Sequence, residues 1–108
     1  MPHTIFKYPF SIGDRFVMTL PVNSEIVKVS SQNGIPTMWC IHTTNTEVVE
    51  PRIFRIYRTG REIHDFESLT YISTFELNRF VWHLFEESGH GTTYIEDILQ
   101  ISTEQPSE

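Results

Sequence analysis

Apolar and polar residues in this chain alternate mostly with a period of two, the repeat of a strand with one buried face. In Arg15–Pro21, Phe16, Met18 and Leu20 alternate with Arg15, Val17 and Thr19, and Glu25–Gln32 follows with Ile26, Val27 and Val29. Asn33-Gly34 then predicts a tight hairpin, because both residues accept the positive φ of a primed turn. Its partner strand is Thr37–Thr43, with Trp39 and Ile41 on one face and Met38, Cys40 and His42 on the other. Pro36 belongs at that strand's start or edge, since it has no N–H to donate to a ladder.

Beyond the Asn45-Thr46 turn, Arg52–Arg58 (RIFRIYR) fits a strand or a short helix opened by Pro51. Its β-branched and aromatic content favours the strand, and Thr59-Gly60 ends it either way. Tyr71–Phe75 reads as a short strand. Phe80–Phe85 is apolar on both faces, which predicts a central strand covered on both sides. Ser88–Thr92 is a glycine-containing loop, and Thr93-x-x-Glu96 resembles a capping box leading Tyr94, Ile95, Ile98 and Leu99 into a short helix over 94–101. The expectation is one mainly β domain over residues 1–101, a small antiparallel sheet arranged as a sandwich or open barrel with a short C-terminal helix. Residues 102–108 form a polar, disordered tail in this reading.

Composition narrows the class. The chain has 108 residues, 39% hydrophobic and 13% aromatic, enough for a core in one domain. No apolar run is long enough to span a bilayer, and MPHTIFKYPF lacks the pattern of a secretory signal. Cys40 is the only cysteine, which excludes an internal disulfide and makes the cytoplasm, in a bacterial host, the expected compartment. Net charge is −6, unevenly spread. Residues 1–61 carry seven basic and four acidic side chains, whereas residues 62–108 carry ten acidic ones and only Arg79. Such asymmetry predicts a polarised surface, although acidic residues also serve plain solubility.

Five stretches occur together: Ile5–Phe10 (IFKYPF), Met18–Gln32 ending in VSSQ, the Asn-Gly turn leading to Met38-Trp39, Arg58–Ile63 (RTGREI), and Tyr71–Glu86 (YISTFELNRFVWHLFE). In this order they resemble a family of short uncharacterised proteins encoded mainly in bacteriophage and prophage genomes. The resemblance spans residues 5–86 and implies a phage origin and a compact β fold. The family has no assigned activity, so no catalytic residue is implied.

No constellation for catalysis assembles. Cys40 with His42 or His83 is the only thiol–imidazole option, and an apolar strand is a poor niche for a reactive thiol. Glu86-Glu87 and Glu96-Asp97 are adjacent in sequence, so they diverge instead of sharing a proton. Cys40 and His42 share a predicted face, yet two ligands do not make a zinc site and a third would have to come from His83. The chain is expected to be a non-enzymatic binding protein without metal or cofactor. Its acidity argues against duplex nucleic acid, which needs positive charge at the contact face.

Three binding modes remain. An acidic face built from Asp65, Glu67, Glu76, Glu86, Glu87, Glu96 and Asp97 would dock on a basic host protein and inhibit it, in the manner of an anti-defence or anti-CRISPR protein; complementary charge speeds such encounters. Alternatively, Arg52, Arg55, Arg58 and Arg61 with His90 in the Gly-His-Gly loop would hold a phosphorylated or nucleotide signalling ligand, since guanidinium forks suit phosphate. The competing reading pairs these arginines with the protein's own carboxylates. Thirdly, an exposed aromatic surplus (Tyr8, Phe10, Tyr57, Phe66, Tyr71) would support homo-oligomerisation of an accessory or structural phage protein.

Overall fold

A computed structural model describes residues 1–88 and the backbone of residues 102–104. Among the described residues, eight strands follow in chain order: β1 (His3–Pro9), β2 (Arg15–Pro21), β3 (Glu25–Gln32), β4 (Ile35–Thr43), β5 (Val49–Arg58), β6 (Leu69–Leu77), β7 (Phe80–Glu87) and β8 (Ser102–Glu104). One 3₁₀ turn at Phe66–Ser68 precedes β6. The strands form a three-stranded sheet of order β1-β4-β3 and a five-stranded sheet of order β6-β7-β5-β2-β8. Every pairing is antiparallel except β2 with β8. Neither sheet closes, so the barrel alternative gives way to two open sheets over a common core.

The predicted hairpin forms as its chemistry requires. Asn33 (φ 52°) and Gly34 (φ 80°) both take positive φ between β3 and β4. The alternation in β4 also sorts its faces as expected, with Met38, Cys40 and His42 buried and Trp39 and Ile41 half-exposed. From the five-stranded sheet, Phe16, Met18, Leu20, Phe54, Ile56 and Leu84 face that surface. Ring stacking ties the core together through Phe10, Phe16 and Phe54, at 5.2 and 5.3 Å between centroids. Val17 and Ile53, opposite each other in the β2–β5 register, make a small second cluster on the sheet's other face.

Several expectations are refined or overturned. Arg52–Arg58 is strand, within a longer β5. The β6 strand runs beyond Tyr71–Phe75 because a second primed turn at Asn78 (φ 53°) and Arg79 (φ 71°) joins it to β7. β7 lies inside its sheet, but only its second half is covered: Leu84, Phe85 and Glu86 are buried while Phe80 and Val81 stay exposed. Of the aromatics expected at the surface, Tyr8, Phe10 and Tyr57 are buried and only Phe66 and Tyr71 are exposed. Strand β8 is short and pairs in parallel with Phe16–Met18 of β2. The expected helix over 94–101 lies outside the described residues. Among the described residues, no helix is long and apolar enough to cross a membrane.

Candidate functional site

The arginines of β5 divide by strand geometry. Arg52 shares the inner face with Phe54 and Ile56, whereas Arg55 shares the outer face with Ile53 and Tyr57. On β7, Glu86 and Glu87 are likewise turned to opposite faces. Arg52 therefore meets Glu86 between the sheets, donating from Nε and Nη2 to its two carboxylate oxygens at 2.6 and 2.7 Å. Its Nη1 donates to the Ser24 carbonyl at 2.6 Å. Donating to the Glu86 carboxylate raises the Arg52 pKa above its already high value and fixes the charge. Nearby Cys40 is fully buried, and burial pushes its thiol up to about 12, which keeps it protonated and unreactive.

On the outer face, Glu87 receives two arginines. Arg15 donates to both of its oxygens at 2.6 and 2.9 Å, and Arg55 donates from Nε at 2.7 Å. Burial pushes the Glu87 pKa up, but the combined hydrogen bonds and charges of Arg15 and Arg55 outweigh it and hold the carboxyl below its ordinary range.

A third arginine group lies at the end of β5, where the chain turns. Gly60 takes φ 95°, the Arg61 N–H donates to the Arg58 carbonyl at 3.1 Å, and Arg61 swings towards the loop before β2. There its guanidinium donates to both Asp14 oxygens at 2.7 and 3.3 Å, and that hydrogen bond lowers the Asp14 pKa. Between this loop and turn opens a cleft of about 560 Å³, walled by Arg58, Arg61 and the backbone of Gly13 and Gly60, with Trp82 and Ile12 beside them. Arg58 has no carboxylate partner among the described residues. Its guanidinium instead lies 4.9 Å from the Phe80 ring centroid, and Phe80 packs edge-on to Trp82 at 6.0 Å. A second cleft of about 460 Å³ shares Asp14 and Arg61 and continues over Arg15, Arg55 and Tyr57.

The hydroxyl of Thr59, on the first cleft's wall, is fixed from behind. It lies 2.7 Å from His83 Nε2, while His83 Nδ1 lies 2.9 Å from the Thr74 hydroxyl, itself 2.7 Å from the Tyr71 hydroxyl. Both nitrogens of His83 are thus committed on the outer face. His83 cannot join Cys40 and His42, which face the core, and no three ligand-type side chains converge among the described residues. Sequence reading missed His83, Phe80 and Trp82 as neighbours of the arginines. The available signal was the Arg-Thr-Gly-Arg turn followed by two aromatics at alternate positions of an incompletely covered strand.

The four arginines expected to grip a ligand therefore separate. Arg58 and Arg61 meet in one cleft, Arg55 lines the adjoining one, and Arg52 is largely buried between the sheets. The expected acidic face also divides. Asp65, Glu67 and Glu76 are exposed, but Glu86 and Glu87 are held by arginines. Glu96, Asp97 and His90 lie outside the described residues.

A model of a domain of unknown function, DUF7352, matches residues 1–93, and the chain belongs to that family. No curated protein and no solved structure matches the chain.

Proposed function

We propose that this domain acts by binding, without catalysis, and that its ligand is a small phosphate-bearing molecule seated between the loop before β2 and the Arg58–Arg61 turn. The observation that carries this reading is Arg58. Every other arginine on β5 is matched to a carboxylate, whereas Arg58 is stacked on Phe80 at the cleft with its fork of donors uncommitted to any acid. A guanidinium backed by an aromatic ring is pre-oriented for phosphate. Trp82 alongside offers a flat apolar surface to a planar group such as a nucleobase. The geometry thus favours the phosphorylated-ligand reading over inhibition through an acidic face.

The test is a thermal-shift and calorimetric panel of inorganic phosphate, mononucleotides and cyclic nucleotides on the wild-type chain. Binding should be lost in Arg58→Ala and weakened in Arg58→Lys, which keeps the charge but not the planar fork. It should persist in Glu67→Gln, on the far acidic turn. A flat response across the panel rejects the reading.

A second reading rests on Phe66, which is 60% exposed within the acidic stretch Glu62, Asp65 and Glu67. An apolar anchor flanked in sequence by carboxylates suits a basic protein surface. In a phage setting such a surface would belong to a host factor that the domain blocks. Co-purification with a basic host protein that survives Phe66→Ala and Glu67→Lys together would remove this reading.

A further inference from the structure

Sheets end in edges, and an edge with unpaired N–H and C=O groups invites another strand unless something blunts it. Among the described residues this fold has four edges: β1 and β3 in one sheet, β6 and β8 in the other. Three are blunted. β3 is interrupted by a register shift between Ile26 and Lys28, and β6 by one between Tyr71 and Ser73. β8 is only three residues long. β1 is different. It pairs with β4 in unbroken register from His3↔Thr43 to Pro9↔Thr37, and no described strand lies on its other side.

The hydrogen-bond phase shows which groups face outward. Phe10 donates to the Pro36 carbonyl at 2.9 Å, and Thr44 donates to the Pro2 carbonyl at 3.0 Å, both continuing the same register. In an antiparallel ladder the bonded pairs alternate with non-bonded ones. Thr4, Phe6 and Tyr8 therefore exchange bonds with β4, and His3, Ile5 and Lys7 aim their backbone groups at the open edge. Ile5 is 53% and Phe6 41% exposed there. Lys7 is the residue that would ordinarily guard such an edge. Its ammonium instead reaches back over the sheet to Gln32 Oε1 at 3.3 Å.

From these observations we infer that β1 is a dimerisation edge, pairing antiparallel with β1 of a second copy about a two-fold axis at Ile5. This register sets Ile5 opposite Ile5 of the second copy and His3 opposite Lys7 of the second copy, so all outward donors and acceptors from His3 to Lys7 are matched. The two lysines never face each other. Pro9 ends the pairing, because its nitrogen faces outward and has no hydrogen to donate. Thr4 and Phe6 alternate on the other face, bringing the exposed Phe6 ring against Thr4 of the second copy. The result is one continuous sheet running β3-β4-β1 into β1-β4-β3 of the second copy. The pairing is isologous and closed, so it stops at two copies.

The experiment is light scattering of the intact chain across a concentration series, combined with amide hydrogen exchange. The expected result is a dimer whose Ile5 amide is protected and loses protection on dilution. Ile5→Asp places like charges directly opposite at the axis and should raise the dissociation constant by about tenfold or more. Val27→Asp, equally exposed but on the bulged β3 edge, should leave it unchanged. A monomer throughout the series overturns the inference. So does a dimer whose Ile5 amide exchanges freely, or one that Ile5→Asp leaves intact. Should Ile5→Asp fail to fold, the exchange of the wild-type Ile5 amide decides alone. None of these readouts depends on the Arg58 cleft.

Discussion

Glu86 and Glu87 are neighbours on β7, yet the pleat sends one between the sheets and the other to the outer face. Glu86 meets a single arginine, Arg52, with side-chain exposures of 10% and 15%. Glu87 meets two, Arg15 and Arg55, whose side chains remain 37% and 25% exposed. The chemistry is the same and the surroundings differ. Between the sheets, a charge that loses its partner has little access to water, so the pair acts as a unit that must be kept whole or replaced whole. On the outer face, water can take over part of a lost bond, and the second arginine adds repulsion that only the carboxylate offsets. The comparison shows that position, more than the number of ion pairs, decides what each arginine contributes.

The inner pair should give the largest effect. Glu86→Ala strands the Arg52 guanidinium beside Cys40 and should cost about 3–5 kcal/mol of unfolding free energy. Chemical denaturation measures this, and the thiol supplies a local readout. Cys40 should resist alkylation in the wild-type fold, being fully buried with its pKa pushed up to about 12, and should label faster in Glu86→Ala. The double variant Arg52→Met, Glu86→Leu removes both charges together and should recover most of the loss. If Glu86→Ala is no worse than the double variant, the inner pair is not the all-or-nothing unit described.

The outer cluster should give less and should depend on pH. Glu87→Gln keeps the shape, removes the charge, and should cost about 1–2 kcal/mol near neutral pH, since both arginines retain access to water. The folded carboxyl titrates below its ordinary value because Arg15 and Arg55 together outweigh burial. A group depressed on folding stabilises the fold fully above its unfolded pKa, near 4.3 for glutamate. That contribution is lost as pH falls through the lower, folded value. The wild type should therefore lose stability on acidification below that range, and Glu87→Gln should lose less over the same interval. Parallel acid profiles for the two proteins would remove Glu87 from the account of acid sensitivity.

What the sequence made legible follows the range of each signal. The Asn33-Gly34 hairpin and the inner face of β4 were readable because turn chemistry and period-two alternation are local. That β5 is strand also followed locally, and with it the separation of Arg52 from Arg55. The identity of their partners did not follow, since Glu86 and Glu87 lie on a strand brought alongside only by the β5–β7 register. Counting Glu86 and Glu87 into an acidic face therefore treated charge as if it stayed where the sequence printed it. Tyr8, Phe10 and Tyr57 were misjudged for the same reason, as burial of a large ring depends on which sheet covers it. The Phe80–Trp82 surface was hidden because which part of β7 is buried, Leu84 to Glu86 and not Phe80, is a fact of tertiary arrangement.

The smallest stability effect belongs to the rim, and there the comparison is sharpest. Asp14 and Arg61 form a bidentate pair whose closest contact, 2.7 Å, nearly matches the inner one, but their side chains are 76% and 54% exposed. Hydrogen bonding from Arg61 lowers the Asp14 pKa, yet solvent screens such a pair almost completely. Asp14→Asn should therefore leave the melting temperature unchanged within error. It should have a separate consequence: with its carboxylate gone, Arg61 is released beside Arg58, and affinity for inorganic phosphate, read by calorimetry, should rise. If stability falls and phosphate binding does not change, then Asp14 anchors the loop, and the division between arginines that hold the fold and arginines left for a ligand runs elsewhere than the rim.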